Sequence, residues 1–181
     1  MNEGSTHFGF SEVASAQKSN KVGEVFTSVA GRYDLMNDLM SLGTHRLWKD
    51  FAVARSGVRV GQHVLDVAAG SGDMTTRFAS QVGPSGRVVM TDINPGMLEC
   101  GRARLLDKGI SPNIELLLAD AETLPFAPHQ FDCVSIAFGL RNVTHIPKAL
   151  ASMASMLKPG GRVLILEFSH PVSDLLSRAY D

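Results

Sequence analysis

From Gly61 onward the apolar residues of this chain fall in short runs separated by polar, helix-length stretches. The runs at 63–68, 87–92, 114–119, 131–138 and 162–168 are of strand length and too short for a helix. Turn residues separate them, at Pro84-Ser85-Gly86, Ser111-Pro112-Asn113, Pro125-Phe126-Ala127-Pro128 and Lys158-Pro159-Gly160-Gly161. Strand, helix, strand at this rhythm predicts βαβ units, and therefore a parallel sheet with helices on both faces. The last run is almost continuously apolar, as expected of a strand covered on both faces. Ahead of Gly61, Val22, Val25, Phe26 and Val29 fall at helical spacing, and a second amphipathic stretch passes through Leu47, Trp48 and Phe51. The expected fold class is α/β, with residues 1–60 as a helical cap and residues 61–181 as the sheet domain.

The loop after the first strand carries the chemistry. Val64-Leu65-Asp66-Val67 runs into the small residues Ala68 to Gly72, and the next strand ends on Asp92. Glycines let backbone approach a ligand closely, and an acid about 20 residues further on is where a parallel nucleotide-binding sheet meets ribose hydroxyls. A dinucleotide site wants a third glycine after Gly70 and Gly72, and here Asp73-Met74-Thr75 follows instead. With Asp66 before the loop and Asp73 after it, a polyanion is disfavoured and a cationic nucleoside fits better. Ligands of open parallel sheets bind beyond the strands' carboxyl ends. The candidate binding residues are therefore Asp66, Gly70, Ser71, Gly72, Asp92, Asp120 with Ala121, and Ala137. Asp92 and Asp120 read equally well as caps of the segments that follow them.

Composition narrows the alternatives. Seventeen basic residues balance eighteen acidic ones without a long charge run, so nothing points to nucleic acid as a partner. Cys100 and Cys133 lie outside any metal-ligand spacing; no metal is expected, Cys133 reads as core, and a reducing cytoplasm suits both. No apolar run approaches the roughly 20 residues a membrane span needs, and no signal peptide opens the chain.

Longer motifs make the reading specific. Asp66-x-x-x-Gly70-x-Gly72 resembles the first motif of the class I methyltransferases. The stretch from Tyr33 through His45 to Trp48, and the stretch from Leu157 to Ser169, resemble the two signatures of the ubiquinone/menaquinone biosynthesis C-methyltransferases, and Thr6–Phe10 and Phe138–Val143 are similar to bacterial members. The resemblance implies a Rossmann-like class I methyltransferase fold and S-adenosylmethionine as cofactor. It also implies a polyprenylated quinol substrate, 2-methoxy-6-polyprenyl-1,4-benzoquinol or demethylmenaquinol. Carried over by position, the cofactor contacts fall on Ser71, Asp92, Asp120 with Ala121, and Ala137, where Ala137 departs from the family's serine and lacks a side-chain donor. With the family come a cytoplasmic location, peripheral association with the inner membrane or a quinone-biosynthesis complex, and a homodimer as open expectations. A sheet of this family has seven strands, so the chain is expected to lack the last two, as an N-terminal fragment would.

Methylation of a ring carbon needs a quinol that has lost a hydroxyl proton, which a quinone cannot do. Tyr33 and Arg141 are the first candidates to assist that loss, and His45, whose ordinary pKa suits a phenolic proton, is the third. His45 with Trp48 reads equally as a helix face packed on the sheet, and Met36, Leu39, Met40 and Leu42 mostly as core. Three other functions compete: a nicotinamide-dependent dehydrogenase, an O-methyltransferase, and a binding remnant without turnover.

Overall fold

The computed structural model describes residues 5–8, 11–14, 44–109 and 112–167. Five parallel strands form the main sheet: β3 (His63–Val67), β4 (Arg87–Asp92), β5 (Ile114–Leu118), β6 (Phe131–Ala137) and β7 (Leu157–Leu166), in spatial order β5-β4-β3-β6-β7. The chain starts at the centre, winds outward through β4 and β5, and returns to β6. That reversal between β3 and β6 is where an α/β sheet opens a crevice for a ligand. A separate antiparallel hairpin pairs β1 (Ser5–Phe8) with β2 (Ser11–Ala14), Phe8 opposite Ser11. Sequence periodicity did not indicate it, because four-residue strands are too short to show alternation.

The helices are α1 (Thr44–Ser56), α2 (Asp73–Val82), α3 (Pro95–Asp107) and α4 (Ile146–Ser155). Period-2 alternation divides the strand residues between two cores. Val64, Val88 and Cys133 pack with Ala52 and Val53 of α1 and Met74, Phe78 and Val82 of α2. Leu65, Val89, Val134 and Ile136 pack with Ala149 and Met153 of α4 on the opposite side. Cys133 is core as expected, and burial pushes its thiol up to about 12.

Three expectations are corrected. Lys158 to Gly161 is not a turn ahead of the last strand but part of β7. Phe131 pairs with Leu157 and Cys133 with Arg162, so β7 bulges where Gly160 takes φ +81°. Nor is β7 covered on both faces, since Arg162 and Ile165 are exposed. On α1 the buried face is Lys49, Ala52, Val53 and Ser56, while Leu47, Trp48 and Phe51 point outward. The segment from Val22 to Val29 and the Met36–Leu42 cluster lie outside the described residues. No helix among the described residues is long and apolar enough to cross a membrane.

The turn before β4 has no room for a side chain. A Cβ at Gly86 would sit 2.4 Å from Val82 Cβ and 2.8 Å from the Gln62 carbonyl oxygen. Gly86→Ala is therefore expected to destabilise the fold by about 2 kcal/mol, lowering the melting temperature by roughly 4–8 °C. A melting curve unchanged within 1 °C would show that the α2–β4 turn relaxes freely.

Candidate functional site

The loop from Ala68 to Gly72 leaves β3 in a conformation built from positive φ angles, at Ala68 (+50°), Gly70 (+58°) and Gly72 (+76°). Gly72 occupies the cap position of α2, and a side chain there would be strained and would press on Met90 Sδ at 3.2 Å. Asp92, at the carboxyl end of the neighbouring β4, holds the loop. Its Oδ2 accepts the Gly70 N–H at 2.9 Å and its Oδ1 accepts the Asn94 N–H at 2.9 Å. Burial raises its pKa against the pull of these backbone donors. Asp92 is not the cap of α3: Asn94 is, its Oδ1 accepting from Gly96 and Met97. The backbone of Ile93 donates to the same carboxylate, so three main-chain donors fix Asp92 behind the loop and leave part of its acceptor capacity for a ligand.

Asp66 lies deeper. Its register partner on β6 is Ser135, whose hydroxyl donates to Oδ1 at 2.7 Å, while Thr75 of α2 donates to Oδ2 at 2.6 Å. Complete burial pushes its carboxyl to about 6, although both hydroxyls and Lys49 favour the ionised form. Neither Thr75 nor Ser135 was a candidate from sequence, since a lone hydroxyl in an apolar run carries no signal.

Asp73 is where the sequence expectation fails. Read as a charge hostile to anions, it is instead surrounded by cations: Lys49 Nζ at 2.8 Å, Arg77, and Arg104 at 3.5 Å. Burial works to raise its pKa, but Lys49 and Arg77 outweigh it and hold the carboxyl down at about 2. Arg104 also donates to the Ser71 hydroxyl at 3.2 Å. Only the three-dimensional structure reveals Lys49 and Arg104 as members of the site.

A cleft of about 400 Å³, counted with its open mouth, is lined by Lys49, Asp66, Ala68–Ser71, Asp73, Met74, Ala137 and Phe138. Of the sequence candidates, Asp66, Gly70, Ser71 and Ala137 line it, and Gly72 and Asp92 support its loop. Asp120 stands apart after β5, exposed, its side chain accepting the Glu122 N–H and so capping the 3-10 turn Ala121–Thr123; Ala121 is buried beneath it. Arg141 does not stand alone. It sits in the 3-10 turn after β6, half exposed, and its Nη1 donates to Glu167 Oε1 at 2.8 Å, just past β7. Tyr33 lies outside the described residues, as does the side chain of His45, whose backbone opens α1.

The chain is similar to known proteins in sequence and in fold. A family model described as the ubiE/COQ5 methyltransferase family matches residues 14–181. The chain is 62% identical over 179 residues to the ubiquinone/menaquinone biosynthesis C-methyltransferase UbiE of Pseudomonas fluorescens, covering 99% of this chain and 70% of that protein. The chain belongs to the ubiE/COQ5 methyltransferase family. The corresponding protein of Pseudomonas aeruginosa is 61% identical over the same length. Among solved structures, a SAM-dependent methyltransferase from Aquifex aeolicus superposes with a TM-score of 0.63 at 22% identity, over 70% of this chain and 66% of that one. A putative S-adenosyl-L-methionine-dependent methyltransferase from Methanococcus maripaludis gives 0.67 at 16% identity, over 77% and 62%. The family's expected Rossmann-like class I sheet is therefore present, and these distant neighbours speak for the fold alone.

Proposed function

We propose that this member of the ubiE/COQ5 family binds S-adenosylmethionine in the crevice between β3, β4 and β6 and methylates a ring carbon of a polyprenylated quinol. The substrate is 2-methoxy-6-polyprenyl-1,4-benzoquinol, demethylmenaquinol, or both. The observation that carries the reading is the pairing of Asp92 with Gly70, which aims a buried carboxylate and a glycine loop at one ligand position. The close identity to proteins named as ubiquinone/menaquinone C-methyltransferases supports the substrate class.

The residues present suit this cofactor. Asp92 has acceptors for a ribose diol, Gly70 and Gly72 leave room for backbone approach, and Ala137 and Met74 offer apolar wall. We assign Asp120 and Ala121, one strand further out, to the adenine edge, and Asp66 and Ser71 to the amino-acid end. When bound, S-adenosylmethionine supplies a methyl group on a sulfonium. The chain's own task is to hold the ring carbon in line with it and to keep water out, since reactants aligned at about 3–3.5 Å contribute most of such accelerations. Arg141, steadied by Glu167, sits beyond the carboxyl end of β6, where its charge lowers the pKa of a quinol hydroxyl or orients a water that takes the proton. Tyr33 and His45 are the further candidates, in a segment up to residue 60 that we assign to the substrate side. A prenylated substrate dissolves in a lipid bilayer, which places the enzyme at the cytoplasmic surface of the membrane.

Turnover is expected with a reduced short-chain quinol and not with the oxidised quinone. Arg141→Ala and Tyr33→Phe are each expected to lower kcat by tenfold or more, about 1.4 kcal/mol of barrier. Equal rates from quinol and from quinone without reductant would eliminate the phenolate route. Wild-type kcat in both variants would pass the proton to His45. A product methylated on oxygen, seen by NMR, would replace C-methylation with O-methylation.

A further inference from the structure

Lys49 is 6% exposed, on the buried face of α1 beside Ala52 and Val53. Lysine is almost never buried unless its charge is matched. Its ammonium group meets Asp73 Oδ2 at 2.8 Å and the ring of Phe138, 5.9 Å from Nζ to the centroid. Asp73 is shared, however, with Arg77 and Arg104, and Asp50, at 2.6 Å, answers only Arg77. Lys49 also lines the same cleft as Gly70, Ser71 and Asp66. A short polar helix residue at this position would have satisfied Asp73 less deeply; a long cation carried inward from α1 places an ammonium group at the wall of the cleft.

We infer that Lys49 binds the carboxylate of the cofactor's amino-acid end, with Asp73 holding the ammonium group in place. The inference rests on the S-adenosylmethionine reading above. An amino-acid end is a zwitterion and needs both charges answered. Asp66 lies on the same cleft for the ammonium, and Lys49 supplies the complement for the carboxylate through a charge-assisted hydrogen bond. Because α1 begins in the segment assigned to the substrate side, Lys49 ties that segment to the cofactor.

Calorimetric titration with two ligands tests it: S-adenosylmethionine, and its decarboxylated form, which keeps the sulfonium and the amine. The wild type is expected to prefer the carboxylated ligand by at least tenfold. Lys49→Met is expected to bind the two within about twofold of each other, and Lys49→Arg to restore most of the preference. If Lys49→Met does not fold, Lys49→Gln keeps a donor for Asp73 without the charge and is expected to lose the preference likewise. A variant that weakens both ligands by the same factor, or that retains the tenfold preference, overturns the assignment. A wild type that binds both ligands equally overturns this inference alone. A wild type that binds neither overturns the cofactor reading with it.

Discussion

In the protein without ligand, Asp66→Asn is expected to gain stability relative to the wild type by roughly 2.4 kcal/mol between pH 4 and pH 7. The cause is the burial that raises the Asp66 carboxyl from 3.8 to about 6. Between those values the folded chain holds a proton that the unfolded chain has released, so wild-type stability falls as pH rises through the window, at about 1.36 kcal/mol per unit of pKa difference. Asparagine does not titrate, and its amide can still accept one hydroxyl and donate to the other, so Thr75 and Ser135 stay partnered. The low pKa of Asp73 acts below this window, and the raised Asp92 is common to both proteins, so neither enters the difference. Urea denaturation of the two proteins from pH 4 to pH 7 provides the measurement. Parallel stability curves would mean that Asp66 ionises at its ordinary pKa, and that Thr75, Ser135 and Lys49 fully offset its burial.

Asp92→Ala is expected to weaken S-adenosylmethionine binding by at least tenfold, about 1.4 kcal/mol. Two losses combine. Ribose hydroxyls lose an ionised acceptor, each such bond contributing about 1.5–3 kcal/mol, and the Gly70 N–H loses the partner that holds it at 2.9 Å. Asp92→Asn separates them, because its amide oxygen can still hold Gly70 while only one acceptor remains for the diol; its affinity should fall between the other two. Titration calorimetry gives the constants, and a thermal melt without ligand gives the structural share. An unchanged dissociation constant in Asp92→Ala would reduce Asp92 to a tie between the glycine loop and the start of α3.

The strand runs at 87–92 and 131–138 were legible because an apolar segment of strand length bounded by turn residues admits few other structures, and β4 and β6 lie there within a residue. The glycine loop and Asp92 were legible for a related reason: backbone conformation and spacing are local properties, and Gly70 and Gly72 do adopt the left-handed region. Charge was not legible in the same way. Asp73 read as a negative wall, and Lys49, Arg77 and Arg104 reversed that by arriving from 24, 4 and 31 residues away. Lys49 itself reads as an ordinary solvated helix residue, because sequence does not say which face of α1 turns inward when Trp48 and Phe51 are the more apolar neighbours.

The sequence alone therefore determined the α/β class, the position of the glycine loop and the family. These depend on periodicity, on turn chemistry and on motifs contiguous in the chain. Tertiary structure decided the strand order, the Asp66–Ser135 bond across 69 residues, the pairing of Arg141 with Glu167 and the burial of Lys49. Each of these is a contact between segments distant in sequence, set by which strand lies beside which. Electrostatic energies depend on distance and burial, so the chemistry of the site became defined only when β3 was placed between β4 and β6.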